Sequence, residues 1–216
     1  MGPLHKPQPC DNGVHRYAES KIPTENGPLR VVVYRECGRE NPEQTTEHVA
    51  LIVGEPLNNP DDVLIRVHSE CITSEVFGSI KCDCRQQLDA AMHACREHKS
   101  GIIIYLRQEG RGIGLGNKIR AYELQAQGYD TAEANHQLGF ETDLRTYDIA
   151  AGMLRDLGVR GVSIMTNNPD KVSGLESHGI VVVERLPCEV EPTSHSAGYL
   201  ATKRQKFGHL LGVVKD

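Results

Sequence analysis

The 216-residue chain has no tryptophan and only three phenylalanines. With 38% hydrophobic and 25% charged residues it has the make-up of an ordinary soluble globular protein, neither disordered nor membrane-bound. No apolar run approaches the roughly 20 residues that a helix needs to cross a bilayer, so no membrane partner is expected. The opening stretch MGPLHKPQPCDNGVHR lacks the apolar block of a secretory signal; its Pro, Gly and polar residues predict a loose arm over residues 1–14 and a cytoplasmic chain. An excess of basic charge is also missing. A formal net charge of −5 argues against a general nucleic-acid coat, yet allows a locally positive pocket for one polyanion. The seven cysteines are an odd number, better read as thiols or metal ligands than as a disulfide framework. Cys10, Cys37, Cys95 and Cys188 have no partner at ligand spacing and read as small, often buried residues or, in the arm, an exposed thiol.

Alternation and β-branched content predict strands at 29–36, 48–54 and 63–70, separated by Gly, Pro and Asn. Helical spacing starts only at CRQQLDAAMHACREH (84–98), followed by an apolar strand at 101–108 and a second helix over 113–128 that stops at Gly128. After it come a helix in TYDIAAGMLRDLG, a strand in VSIMT, a helix in NPDKVSGLESHG, a strand in IVVVERL and a last amphipathic helix near SAGYLATKRQKFGHLLG. This order predicts a single α/β domain: a mixed β-sheet flanked by helices, with a β-rich N-terminal part followed by βαβ units in parallel pairing.

Three segments carry chemistry. CITSEVFGSIKCDC offers Cys71, Cys82 and Cys84 as three soft ligands. Structural zinc sites take four ligands, whereas catalytic ones hold three and leave a place for water. Neither His68 nor His93 is locally well placed as the fourth, and a distant His or Cys188 would close the site, so the spacing leaves both readings open. The C-x-C bite is unlike that of common zinc fingers. Cys84 begins a helix whose N-terminus favours a thiolate, and Gln87 lies one turn on, on the same face. Just before the thiols, Arg66, His68 and Glu70 alternate onto one strand face, which is either a site or a solvated sheet surface. RQEGRGIGLGNK (107–118) joins a strand to a helix through Gly110, Gly112, Gly114 and Gly116. It fits neither common phosphate-loop fingerprint and reads either as a plain tight loop, the commoner explanation, or as an anion cradle, which Glu109 and Arg111 flanking the first glycine favour. In TNNPDK, Asn168 and Pro169 are explained by helix capping; Thr166 and Lys171 are not, and they fall near the carboxyl end of the sheet.

Taken together, RVHSEC, C-x10-C-x-C, RQEGRGIGLGNKIRAY, GYDT, ANHQLGF, TNNPDKV and GHLL, in this order, resemble the GTP cyclohydrolase II family over about residues 15–212. The resemblance implies one catalytic domain that uses zinc and Mg²⁺ to split GTP into formate, diphosphate and 2,5-diamino-6-hydroxy-4-(5-phosphoribosylamino)pyrimidine, the first step of riboflavin biosynthesis. It implies that Cys71, Cys82 and Cys84 hold one zinc with water in the fourth place. It further implies that Arg66, Val67, His68, Ser69, Glu70, Gln87, Glu109, Gly110, Arg111, Thr131, Thr166 and Lys171 contact GTP. Asp143 and Arg145 match the family's base and nucleophile, Tyr122 matches a catalytic tyrosine, and a homodimer is implied. Two other readings stand beside it: a relative that opens the guanine imidazole ring without releasing formate or diphosphate, and a zinc-stabilised nucleotide-binding module without chemistry.

Overall fold

The computed structural model describes residues 13–25, 27–37 and 46–188. The β-branched runs form strands where their alternation predicts them: β2 (Leu29–Glu36), β3 (Glu47–Val53) and β4 (Val63–Ser69) follow an unanticipated β1 (Val14–Ile22). β1 gives little apolar signal because only Val14 in it is buried, as befits the edge of a sheet. Beyond β4 the chain runs through α1 (Ile72–Glu75), α2 (Cys84–Glu97), β5 (Gly101–Leu106), α3 (Gly114–Ala126), α4 (Thr131–Gln137), α5 (Asp148–Asp156), β6 (Gly161–Met165), α6 (Pro169–Glu176) and β7 (Val181–Leu186). The last amphipathic helix expected from the sequence, GHLL and residues 1–12 of the arm lie outside the described residues.

Among the described residues the strands make one seven-stranded mixed sheet in the order β1-β2-β3-β5-β4-β6-β7. The first four positions pair antiparallel, and β5, β4, β6 and β7 pair parallel. β5 is buried along nearly its whole length, as a strand covered on both faces must be. Its side chains alternate between two cores: Ile102, Ile104 and Leu106 pack with α5 and α6 residues such as Met153, Leu154 and Leu175, and Ile103 packs with Ala91 and Cys95 of α2. Cys95 is a buried thiol, as the sequence reading has it; Cys37 is disulfide-bonded, contrary to the expectation of a thiol. Gly161 begins β6 against the loop before β4, and a Cβ there would lie 2.0 Å from the Asp61 carbonyl oxygen, so only glycine fits.

His48 ties β3 to the exit of β5. Its side chain is 1% exposed, its Nδ1 accepts from the Arg107 backbone N–H at 3.1 Å, and its Nε2 lies 3.0 Å from Glu36 Oε1. With Nδ1 used as an acceptor, the ring proton belongs on Nε2, facing the carboxylate. Burial pushes the His48 pKa below the usual histidine range, against the pull of Glu36. The unfolded chain therefore takes up this proton first, and the stability involved is present above about pH 6.5 and lost as the pH falls below it. Lowering the pH from 7.5 to 5.5 should lower the thermal midpoint of the wild type more than that of His48→Gln, which keeps an acceptor and a donor without titrating. Equal drops in the two proteins would show that His48 does not contribute.

Candidate active site

Because β5, β4 and β6 run parallel and adjacent, their carboxyl ends open side by side. β4 hands over to Cys71 and α1, β5 to the Glu109 turn, and β6 to Thr166 and α6. The connection after β4 leads to β5 on one side, and the connection after β6 leads to β7 on the other. The chain thus diverges between β4 and β6, and a crevice forms there.

Cys71 caps α1, Cys84 opens α2, and the loop between them brings in Cys82. Cys71 Sγ and Cys82 Sγ are 3.6 Å apart, and all three sulfurs lie within 4.8 Å of one another. Sulfurs bound at about 2.3 Å to a tetrahedral ion stand about 3.8 Å apart, so this donor set fits one soft metal ion. Among the described residues no histidine, carboxylate or further cysteine joins the group. His68 is turned to Glu75, His93 to Glu97, and Cys188 holds Asn167 through its backbone. The Cys82 and Cys84 thiols donate to Cys71 and, with the Lys118 charge, outweigh burial to draw its thiol well below the usual range; Cys82, as donor, is held above it.

The sulfurs line a cavity of about 690 Å³, ample for a nucleotide, together with Glu109, Arg111, Lys118, Tyr122, Thr131 and Arg145. Burial pushes the Tyr122 hydroxyl up to about 12, partly opposed by Lys118, so it keeps its proton at neutral pH. Behind Ser69, Cys84, Arg111 and Arg145, which line both spaces, lies a recess of about 60 Å³ walled by Arg66, His68, Gln87, Thr166 and Lys171. Two of its cations are steered by main-chain carbonyls: Arg66 donates to Met165 O at 2.8 Å and Lys171 to Val67 O at 2.7 Å. Arg66 also donates to Gln87 Oε1 at 2.6 Å. These carbonyl and amide partners fix the direction of the two cations.

The glycine turn serves packing as well as binding. Gly110 and Arg111 both take left-handed backbone, with φ of 63° and 60°, which for arginine costs roughly 1–2 kcal/mol. At Gly112, a Cβ would lie 3.0 Å from that of Leu144, whose N–H donates to Arg111 O at 3.0 Å. The turn thus docks the segment that carries Asp143 and Arg145. These two pair through Nη2–Oδ2 at 2.5 Å and Nε–Oδ1 at 2.9 Å. Burial alone would raise the Asp143 carboxyl, but Arg145 outweighs it and holds Asp143 below the usual carboxylate range.

A family profile described as GTP cyclohydrolase II matches residues 15–187. The chain belongs to the GTP cyclohydrolase II family. It is 50% identical over 92% of its length to the riboflavin biosynthesis protein RibBA of Bacillus velezensis, covering 48% of that protein. It is 48% identical to RibBA of Mycobacterium avium over 94% of its length and 48% of the relative's, and 46% identical to RibBA of Synechocystis over 93% and 35%. The chain therefore spans about half or less of the length of these curated relatives.

Of the positions that the family resemblance singles out, all but two line one or other of the two spaces. Val67 points into the core and offers its carbonyl to Lys171, and Asp143 stands behind Arg145. Arg66 and His68, at 4% and 2% exposure, are not a solvated sheet surface. Asn168 caps α6 by accepting from Asp170 N, with Pro169 in the first turn, as the sequence predicts. The sequence reading missed α4, whose Asp130 and Glu133 form a capping box legible as D-x-x-E. It also missed Lys118 and Glu75.

Glu75 is the junction of the site's floor. It accepts from the Cys71 backbone N–H at 2.9 Å and from the Tyr105 hydroxyl at 2.5 Å, and it lies 2.9 Å from His68 Nε2. Burial would raise this carboxyl, but His68 and Tyr105 hold it below the usual range, so it is an anion with three donors. Glu75→Ala should cost about 3 kcal/mol or more in urea unfolding, since each buried donor left bare costs about 1–3 kcal/mol, and Tyr105→Phe should cost about 1 kcal/mol. A loss below about 1 kcal/mol for Glu75→Ala would remove the junction role.

Proposed function

We propose that the protein is a zinc-dependent GTP cyclohydrolase II of the cytoplasm, with residues 15–212 as its catalytic domain. It would hydrolyse GTP to formate, diphosphate and 2,5-diamino-6-hydroxy-4-(5-phosphoribosylamino)pyrimidine, the first step of riboflavin biosynthesis, and would act as a homodimer. The observation that carries this reading is the adjacency of an open three-sulfur cluster, in a nucleotide-sized cavity, to a small cation-walled recess. Guanine C8 is a poor electrophile, and zinc on Cys71, Cys82 and Cys84 would supply the acidity that makes water a nucleophile at neutral pH.

The chain's own residues supply the rest. Tyr122, protonated at neutral pH and lining the cavity with the sulfurs, donates to the ring nitrogen as its bond to C8 breaks. Glu109 and Thr131 face the cavity and serve the nucleoside. Arg66, Arg111 and Lys171, with Arg145 beside them, would meet the charge of a triphosphate, and Mg²⁺, when bound, would neutralise part of it. Asp143, ionised and fork-paired to Arg145, is the proton acceptor that the family role asks for, and Arg145 is the group set against the α-phosphorus.

An anaerobic assay with GTP, measuring formate, diphosphate and zinc on one sample, should give equimolar products from zinc-loaded protein. Cys82→Ser should stay folded while losing zinc and ring opening. A stable formamide triphosphate would replace this reading by a ring-opening relative, and unfolding of Cys82→Ser without any turnover in the wild type would replace it by a binding module. Tyr122→Phe should lower kcat about 10²- to 10⁴-fold, the usual worth of a positioned acid, with zinc content unchanged; wild-type kcat would exclude Tyr122 from the chemistry.

A further inference from the structure

Lys118 stands in α3 between the glycine turn and Tyr122, and none of the roles above uses it. Its side chain is only 12% exposed. Its ammonium lies 3.1 Å from Cys71 Sγ and 2.7 Å from Glu109 Oε1. A buried ammonium is costly unless it is paired, and here both partners carry negative charge once the thiol is a thiolate. Glu109 has little freedom of its own: Oε1 also accepts from Gly110 N at 2.7 Å, and Oε2 accepts from Ile72 N at 2.7 Å. Three of the four lone-pair positions of its carboxylate are thereby filled. The acceptor of Ile72 N and the donor to Cys71 Sγ are thus joined through one ion pair, so both ends of the Cys71–Ile72 unit are gripped from the glycine turn and α3.

The turn is also shaped around the lysine. At Gly110, in left-handed backbone, a Cβ would lie 3.1 Å from that of Lys118, so the turn rests on the lysine stem. The Lys118 ammonium adds a third grip to Glu109 beside those of Ile72 N and Gly110 N. Chemistry points the same way: three thiolates around a divalent ion leave a net charge of −1, and a hydrogen bond from an ammonium to one sulfur offsets it.

We propose that Lys118 is a positioning residue of the metal centre, which clamps the Cys71 thiolate to the Glu109 carboxylate and so sets both metal retention and the placing of the glycine turn. The proposal rests on the reading of Cys71, Cys82 and Cys84 as metal ligands.

The test compares wild type, Lys118→Met and Lys118→Arg for zinc affinity by chelator competition, and for the thiolate-to-metal absorption band of the Co²⁺-substituted proteins. Lys118→Met should weaken zinc binding about 10- to 100-fold, the usual effect of losing a group that orients a ligand. Its cobalt band should move to lower energy, because the sulfur loses a donor, and Lys118→Arg should restore most of both. If the Met variant does not fold, Lys118→Gln, a neutral donor, should give a smaller shift in the same direction. Wild-type zinc affinity and an unmoved band in Lys118→Met, or in Lys118→Gln where the Met variant does not fold, would overturn the role of Lys118 alone. Failure of the wild type to bind zinc or cobalt would overturn the metal reading itself, and this inference with it.

Discussion

The parallel pairing of β4 between β5 and β6 is the constraint on which the site depends. It fixes which chain ends meet: Ser69 stands opposite Leu106 across one register, and Ile65 opposite Ile164 across the other. Much of the lining of the two adjoining spaces comes from these strands or from segments leaving them: Arg66 and His68 from β4, Glu109 from the turn after β5, and Thr166 and Lys171 from the segment after β6. A shift of β4 by one residue would exchange Arg66 and His68 with Val67, turning charges into the core and an apolar side chain into the recess. The aliphatic cores on the two sheet faces make such a slip costly, since Ile65 and Val67 would lose the burial that they share with α5 and α6.

Buried charge gives the site its second rule. Arg66, His68, Glu75, Glu109, Lys118 and Lys171 are all largely buried, and such groups persist only when hydrogen-bonded or paired. The pairing differs between the two spaces. Around the thiols, anions meet donors: Glu75 receives three and Glu109 receives three. In the recess, Arg66 donates to a main-chain oxygen and an amide and Lys171 to a main-chain oxygen, which fix their direction. One wall thus gathers three sulfurs able to hold a metal ion, and the next gathers several cationic side chains.

How much of this was legible follows from the length of each signal. β2 to β5 and α2, α3, α5 and α6 were readable because their apolar periods run over several residues; β1 was not, with one buried side chain, and neither was the four-residue α1. The capping box that starts α4 is written in the sequence as D-x-x-E. The thiols could be found by spacing alone, but whether Cys188 closed the group could not, because its relation to Asn167 across 21 residues exists only in the fold. Lys118 and Glu75 look like a helix-surface lysine and a short-helix acid; their partners, as far as 47 residues away for Lys118, come from three different elements. The glycine spacing is compatible with a tight loop or an anion cradle, while the docking of Leu144 at Gly112 has no counterpart in the sequence pattern.

His68 shows how the two walls act on each other. Its Nε2 faces the Glu75 carboxylate, which places the ring proton there, and its buried Nδ1 has no partner among the described residues. Burial lowers its pKa, the Glu75 hydrogen bond opposes this, and the charges of Arg66 and Lys171 lower it further. The ring is therefore neutral at physiological pH, and its Nδ1 lone pair is buried. A neutral acceptor cannot donate to a phosphate oxygen; what it can take is a hydroxyl or a water proton. The orientation of His68 comes from the same carboxylate that holds the Cys71 backbone, so one anion, Glu75, sets both a wall of the recess and the first thiol.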